Sequence, residues 1–170
     1  GSNLGGTVLT ISGRGLPSDP RRIYVDVGGY SCHVREIIDY EVTCELEMMR
    51  SSSADTAHPV SIKIDGSSSV CEIPGDCTWQ QTSRETPEIL TLEPLTVSVG
   101  DTLSIQGRDL PWDRPSVRIG DIACAVTTHD SSTIMCTVGN GGSGRHHLYV
   151  QYETGYAQHT VDGCCPMLDV

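Results

Sequence analysis

One stretch of this chain is written twice. Leu9, Ile11, Gly13, Arg14, Leu16 and Pro17 return in the same order as Leu103, Ile105, Gly107, Arg108, Leu110 and Pro111. Val25-Asp26-Val27-Gly28 is answered by Val117-Arg118-Ile119-Gly120, Cys32 by Cys124, and Cys44 by Cys136, with eleven residues inside each cysteine pair. The offset is 94 early and 92 later, so the copies differ by a two-residue loop. That period is too long for a solenoid unit and suits a small domain that folds by itself. The repeat divides the chain into a module over 1–85 and a second over 86–165.

Two cores of about 85 residues are marginal by surface-to-volume scaling and commonly need covalent help. The chain has no Phe and only 5% aromatic residues, so its cores must be built from Val, Ile and Leu. Its eight cysteines are an even number, as expected in an oxidising compartment. A formal charge of -11 opposes nucleic-acid binding, which leaves a basic footprint. No apolar run approaches the ~20 residues of a membrane-spanning helix, and no signal peptide is visible. The expectation is a soluble piece of a larger protein, with targeting and anchoring elements elsewhere or absent.

Short β-branched runs ended by glycine predict strands at 7–12, 23–27, 30–34, 41–46 and 60–64. Met48 to Pro59 reads as a polar loop. Ser67 to Cys77 closes the first module, with Trp79 on its last strand. In the second module Ile89 to Pro94 predicts an opening strand, followed by runs at 103–105, 117–119, around Cys124 and Cys136, and at 148–152. No segment has a helical period with caps. The fold class predicted is all-β, two tandem immunoglobulin-like sandwiches. The tail Cys165 to Val170 is similar to Thr86 to Thr91, which predicts that residues 166–170 start a further repeat. By the same alignment the first module lacks an opening strand. Its open sheet edge is then expected to accept a strand such as Met167 to Val170 from a neighbouring molecule.

Cys32–Cys44 and Cys124–Cys136 could be metal ligands or disulfides. Zinc sites favour close pairs, whereas eleven intervening residues across a strand pair suit a hairpin staple. Cys71–Cys77, in a short Pro-Gly turn, is a third disulfide candidate. Cys164 and Cys165 pair either with each other or outside the fragment. Gly13-Arg14-Gly15 is read as a turn, because Leu16-Pro17 and the strand pattern deny it the helix that a dinucleotide loop must open. His146 and His147 are sequential on a strand and point to opposite faces; with His129 and His159 they are read as surface residues. Ser131 and Ser132 lack a nucleophile elbow. No catalytic, cofactor or metal site is expected. A junctional Ca²⁺ held by Glu85, Glu88, Glu93 and Asp162 is the one cation site weighed, and no calcium-loop motif supports it.

The repeated Gly-Thr-x-Leu-Thr-Ile-x-Gly opening, the Val-x-Val-Gly-Gly strand and the two following cysteines resemble the immunoglobulin-like plexin/transcription-factor (IPT/TIG) domain. Thr86-Pro87-Glu88-Ile89 through Pro94 is similar to the start of such a repeat. The late pair Cys71 and Cys77, followed by Trp79 before the next Thr-Pro, resembles repeats of the fibrocystin and fibrocystin-L ectodomains. Leu16 and Leu110 depart from the family's usual Phe. The resemblance implies a non-catalytic extracellular module pair of a large single-pass surface protein, associated with cilia and stereocilia. It implies a spacer that also binds other proteins or further copies of itself, with membrane contact only through an anchor elsewhere. The alternatives weighed are an accessory spacer of a secreted carbohydrate-acting enzyme and an intracellular transcription-factor domain. The acidic charge and the cysteines oppose the latter.

Overall fold

The computed structural model describes residues 1–49, 55–73, 75–159 and 165–170. Apart from two 3-10 turns, Pro20–Arg22 and Ser83–Glu85, their regular structure is entirely β. The first module holds β1 (Val8–Ser12), β2 (Ile23–Val27), β3 (Tyr30–Ile38), β4 (Glu41–Leu46), β5 (Thr56–Ile64), β6 (Ser67–Ser68) and β7 (Thr78–Gln81). The second holds β8 (Glu88–Glu93), β9 (Thr102–Arg108), β10 (Ser116–Ile119), β11 (Ile122–His129) and β12 (Thr133–Val138), then β13 (Arg145–Tyr152), β14 (Gly155–Tyr156), β15 (Gln158–His159) and β16 (Met167–Asp169).

Alternation along the strands builds each core. Ile23, Val25 and Val27 on β2 and Val42, Cys44 and Leu46 on β4 turn inward, because successive strand side chains face opposite ways. Val117, Ile119, Ile134, Cys136 and Val138 do the same in the second module. The two sets of buried residues form separate apolar clusters, one per module. Both copies carry a bulge at the same place, between Val34 and Glu36 on β3 and between Val126 and Thr128 on β11. A shared bulge marks a built feature of the module rather than a local accident.

In the first module the strands run β1-β4-β3-β2-β5-β6, and β7 joins the other half of β5. Thr56–Pro59 pairs with β7 and Val60–Ile64 with β2, so one strand links two sheets. β13 does the same in the second module: Arg145–His147 pairs with β16, and Leu148 onward with β10. This corrects the loop expected up to Pro59, since the strand already starts at Thr56. Its polar first half carries no apolar alternation and so gave no strand signal.

The tail also corrects the sequence reading. Met167–Asp169, expected to open a further repeat, pairs antiparallel with β13 as the second module's closing strand. His146 faces Leu168 there as His58 faces Trp79 across β5 and β7. Leu168 is 1% exposed and fills the position that Trp79 fills in the first module. Burial of that side chain holds the tail, and its likeness to Thr86–Thr91 reflects a shared aliphatic spacing. Because β16 is taken up in this way, the tail is not free to serve a neighbouring molecule.

Candidate functional site

Cys32 is bonded to Cys44 and Cys124 to Cys136, each across a Cα–Cα distance of 5.4 Å. Both bridges lie inside the cores, where their sulfurs pack as apolar groups. Cys71–Cys77 closes an exposed turn. Cys165 is also disulfide-bonded, and Cys164 lies outside the described residues. The histidines stay apart: His146 Nε2 meets the Gly142 carbonyl and His147 Nδ1 the Cys165 carbonyl, each at 3.1 Å. Of the acidic set, Glu88 is held by Arg108 and by Gln158, which donates from Nε2 at 3.1 Å. Asp162 and the Glu85 side chain lie outside what the structure describes. Among the described residues no three His, Cys, Asp or Glu side chains gather as a metal site.

The most densely bonded site is the junction between the modules. Residues 2–8 of the first module lie along the hairpin joining β13 to β14 of the second. The amide of Ser2 donates to the Thr154 carbonyl (2.8 Å), that of Val8 to Glu153 (3.0 Å), and that of Tyr156 to Gly5 (2.9 Å). The hydroxyl of Ser2 donates to the Tyr156 carbonyl and that of Thr7 to the Thr154 carbonyl, both at 2.7 Å. Gln151 donates from Nε2 to the Gly6 carbonyl at 3.1 Å and also to the Glu45 carboxylate.

Glycines permit this approach. A Cβ on Gly6 would stand 2.5 Å from the Tyr156 ring, and one on Gly155 2.3 Å from the Gly5 carbonyl oxygen. Gly5, Gly6 and Gly155 all have positive φ. Burial pushes the Tyr156 hydroxyl pKa up, the Glu45 carboxylate adds to that, and Arg118 opposes it. Burial raises Tyr152 more strongly, with Asp113 contributing.

A second network ties the linker to both ends of the first module. Gln81, 2% exposed, donates to the Asn3 carbonyl and accepts from His58 Nε2, both at 2.9 Å. The Asn3 amide donates to the Thr86 hydroxyl at 2.9 Å, which in turn donates to the Thr82 carbonyl at 3.1 Å. Sequence reasoning missed this junction, because most of its bonds run between main chains. The paired Gly5-Gly6 at the head of the repeat was its only visible sign.

A groove of about 1200 Å³ opens on the first module, lined by Leu9, Ile11, Leu16, Val60, Ile62 and Trp79 among others. It runs beside β1, which pairs with β4 alone, whereas β9 pairs with both β12 and β8. The opening strand expected to be absent from the first module is thus absent among the described residues.

Known proteins carry the same pattern. The sequence profile of the family described as "IPT/TIG domain" matches residues 1–76 and 87–164. Fibrocystin of Mus musculus is 30% identical over 167 residues, covering 92% of this chain and 4% of that protein. Fibrocystin-L of Homo sapiens is 29% identical over 164 residues, covering 95% of this chain and 4% of that protein. The chain therefore spans about 4% of the length of these relatives. Among solved structures, the full extracellular region of plexin A4 shares the fold with a TM-score of 0.51 at 18% identity, over 88% of this chain and 13% of that one.

Proposed function

The chain belongs to the IPT/TIG domain family, and on that premise we propose that it is a non-catalytic, extracellular pair of modules from a large fibrocystin-like surface protein. Its role in this reading is a stiff spacer that also offers a surface to other proteins. The two modules fall on either side of the linker at Thr86, and neither needs a cofactor. The disulfides and the fibrocystin relatives support an oxidising, cell-surface location, and the same resemblance suggests ciliated or stereociliated cells. One observation carries the spacer role: the main-chain hydrogen bonds that tie residues 2–8 to Glu153, Thr154 and Tyr156. A hydrophobic patch would allow the modules to slide, whereas directional bonds at about 2.9 Å fix their register.

Small-angle scattering and residual dipolar couplings on residues 1–170 test the spacer. A single interdomain orientation in solution is the expected result. A broad distribution of orientations in the unaltered chain would overturn the stiff-spacer reading.

A further inference from the structure

The groove beside β1 is compared most directly with the same place in the second module, where a strand fills it. There β8 lies antiparallel to β9, with Glu88 opposite Arg108, Ile89 opposite Gly107 and Leu92 opposite Ile105. On its other side β8 meets β15 in parallel, Glu88 beside Gln158 and Ile89 beside His159. Ile89 and Leu92 are buried in the core, and the Glu88 carboxylate is paired with Arg108.

The first module keeps both walls of this slot. Leu9 and Ile11 face Cys44 and Val42 across β1 and β4, as Leu103 and Ile105 face Cys136 and Ile134. Leu103 and Ile105 are fully buried beneath β8, while Leu9 and Ile11 are only half-buried. The opposite wall corresponds to β15. The Ser69 amide donates to Ile62 at 2.8 Å as the Ala157 amide donates to Val150 at 2.9 Å, and Ile62 and Val150 face Val25 and Val117. Val70 therefore stands where Gln158 stands, yet it is 90% exposed, and nearby Ile73 is 60% exposed.

Two further residues are shaped for a strand. A Cβ on Gly107 would sit 2.5 Å from the Glu88 carbonyl oxygen, so glycine is required there. At Gly13, its counterpart, a Cβ would meet nothing closer than the Leu16 side chain at 3.6 Å, and φ is not positive. The chain's own described residues thus give Gly13 no steric reason to be glycine. Arg14, the counterpart of Arg108, is exposed and makes no ion pair among the described residues.

From these features we infer that the first module is a strand acceptor for an extended peptide segment from outside residues 1–170. The segment carries a carboxylate opposite Arg14, an aliphatic residue opposite Gly13 and a second aliphatic residue opposite Ile11. It adds a strand between β1 and the 69–71 stretch, supplying main-chain bonds on both sides. The chain's own strands of this chemistry are engaged, β8 with β9 and β16 with β13, so a second copy does not supply it. The inference rests on the recognition half of the proposed function and leaves the spacer half untouched.

A synthetic peptide with the sequence of Thr86–Pro94 is the probe, titrated into the intact 170-residue chain and followed by anisotropy and amide chemical shifts. We expect saturable binding that shifts the amides of residues 10–14 and 69–71, and at least tenfold weaker binding when the peptide's Ile89 and Leu92 are both replaced by Asp. Gly13→Val should abolish binding with the melting of both modules unchanged. Arg14→Glu should weaken the peptide severalfold, and a peptide carrying Glu88→Lys should restore it, a rescue that misfolding cannot mimic. Absence of saturable binding to a folded first module would overturn the acceptor, as would binding indifferent to both Gly13→Val and the charge swap. Concentration-dependent dimers that shift the same amides without peptide would assign the slot to a second copy instead. The spacer reading is judged separately by scattering on the peptide-free chain.

Discussion

Gly6 of the first module lies against the ring of Tyr156 of the second, so close that an added Cβ would stand 2.5 Å from the ring's Cδ2. The contact joins a backbone conformation to an interdomain register, because Gly6 also has φ +71. Gly6→Val is expected to cost about 1–3 kcal/mol of stability through the left-handed backbone and, in addition, to widen the interdomain distribution seen by scattering. Gly15→Val is the control: its φ is +72 and nothing lies within 4 Å. It should reproduce the loss of stability and leave the interdomain geometry alone. Equal scattering from both variants would count against the junction as the source of stiffness.

Tyr152 offers a prediction of opposite sign. Its ring is 3% exposed and its hydroxyl is buried with no hydrogen-bond partner among the described residues. An unmade bond of that kind costs about 1–3 kcal/mol, so Tyr152→Phe should raise the urea midpoint at neutral pH. A lowered midpoint would mean that the hydroxyl has a partner in solution.

The same burial predicts an alkaline limit. Tyr152 and Tyr156 both have hydroxyl pKa values raised in the folded protein, chiefly by burial. Below the unfolded tyrosine value of about 10 both states keep the proton, and the stability from these groups is fully present. Above it the unfolded chain loses protons first, and stability falls as pH rises towards the folded values. The pH dependence of the urea midpoint should therefore turn downward above about pH 10. In a Tyr152→Phe, Tyr156→Phe double variant that downturn should flatten.

The strands of both modules were legible because their alternation is written in β-branched residues, as in Ile23-Val25-Val27 and Val117-Ile119. The first half of β5 was not, since Thr56 and His58 are held by other means. His58 stacks at 5.8 Å from Trp79 and donates to Gln81, contacts that alternation does not encode. The tail was misread because Leu168 resembles Ile89 in a sequence alignment, while only three dimensions show it in Trp79's place. The junction was illegible for a simpler reason: carbonyls of Gly5, Glu153 and Thr154 belong to every residue type. The repeat did reveal what was absent, since an opening strand in one copy exposes its lack in the other.

Gln81 concentrates the linker's interactions in one side chain. Replacing it with Leu keeps the bulk but leaves the Asn3 carbonyl and His58 Nε2 without that partner in a site 2% exposed. The expected cost is about 1–3 kcal/mol for a buried polar group left unmatched. Amide exchange should also quicken at Asn3 and Thr82, whose hydrogen bonds lie next to Gln81. Exchange that quickens only in the second module would show that the network does not bind the linker to the first.

The bridges can be ranked by what surrounds them. Cys32–Cys44 and Cys124–Cys136 close equal stretches, with a sequence separation of 12, and are buried in their cores. Cys71–Cys77 closes a separation of 6 in an exposed turn. Constraint of the unfolded chain grows with the closed loop and reaches about 3 kcal/mol for a loop of this order. Cys32→Ala with Cys44→Ala should thus destabilise the first module by about that amount, with further loss from the vacated core. Because the apolar clusters are separate, β9–β12 amides in the second module should keep most of their exchange protection. The Cys71→Ala, Cys77→Ala pair should cost less and act mainly on the wall of the open groove, weakening peptide binding more than it lowers the melting temperature. If the exposed bridge proved the more stabilising of the two, the unfolded-state account of these bonds would fail, and a packing role for the 69–77 turn would replace it.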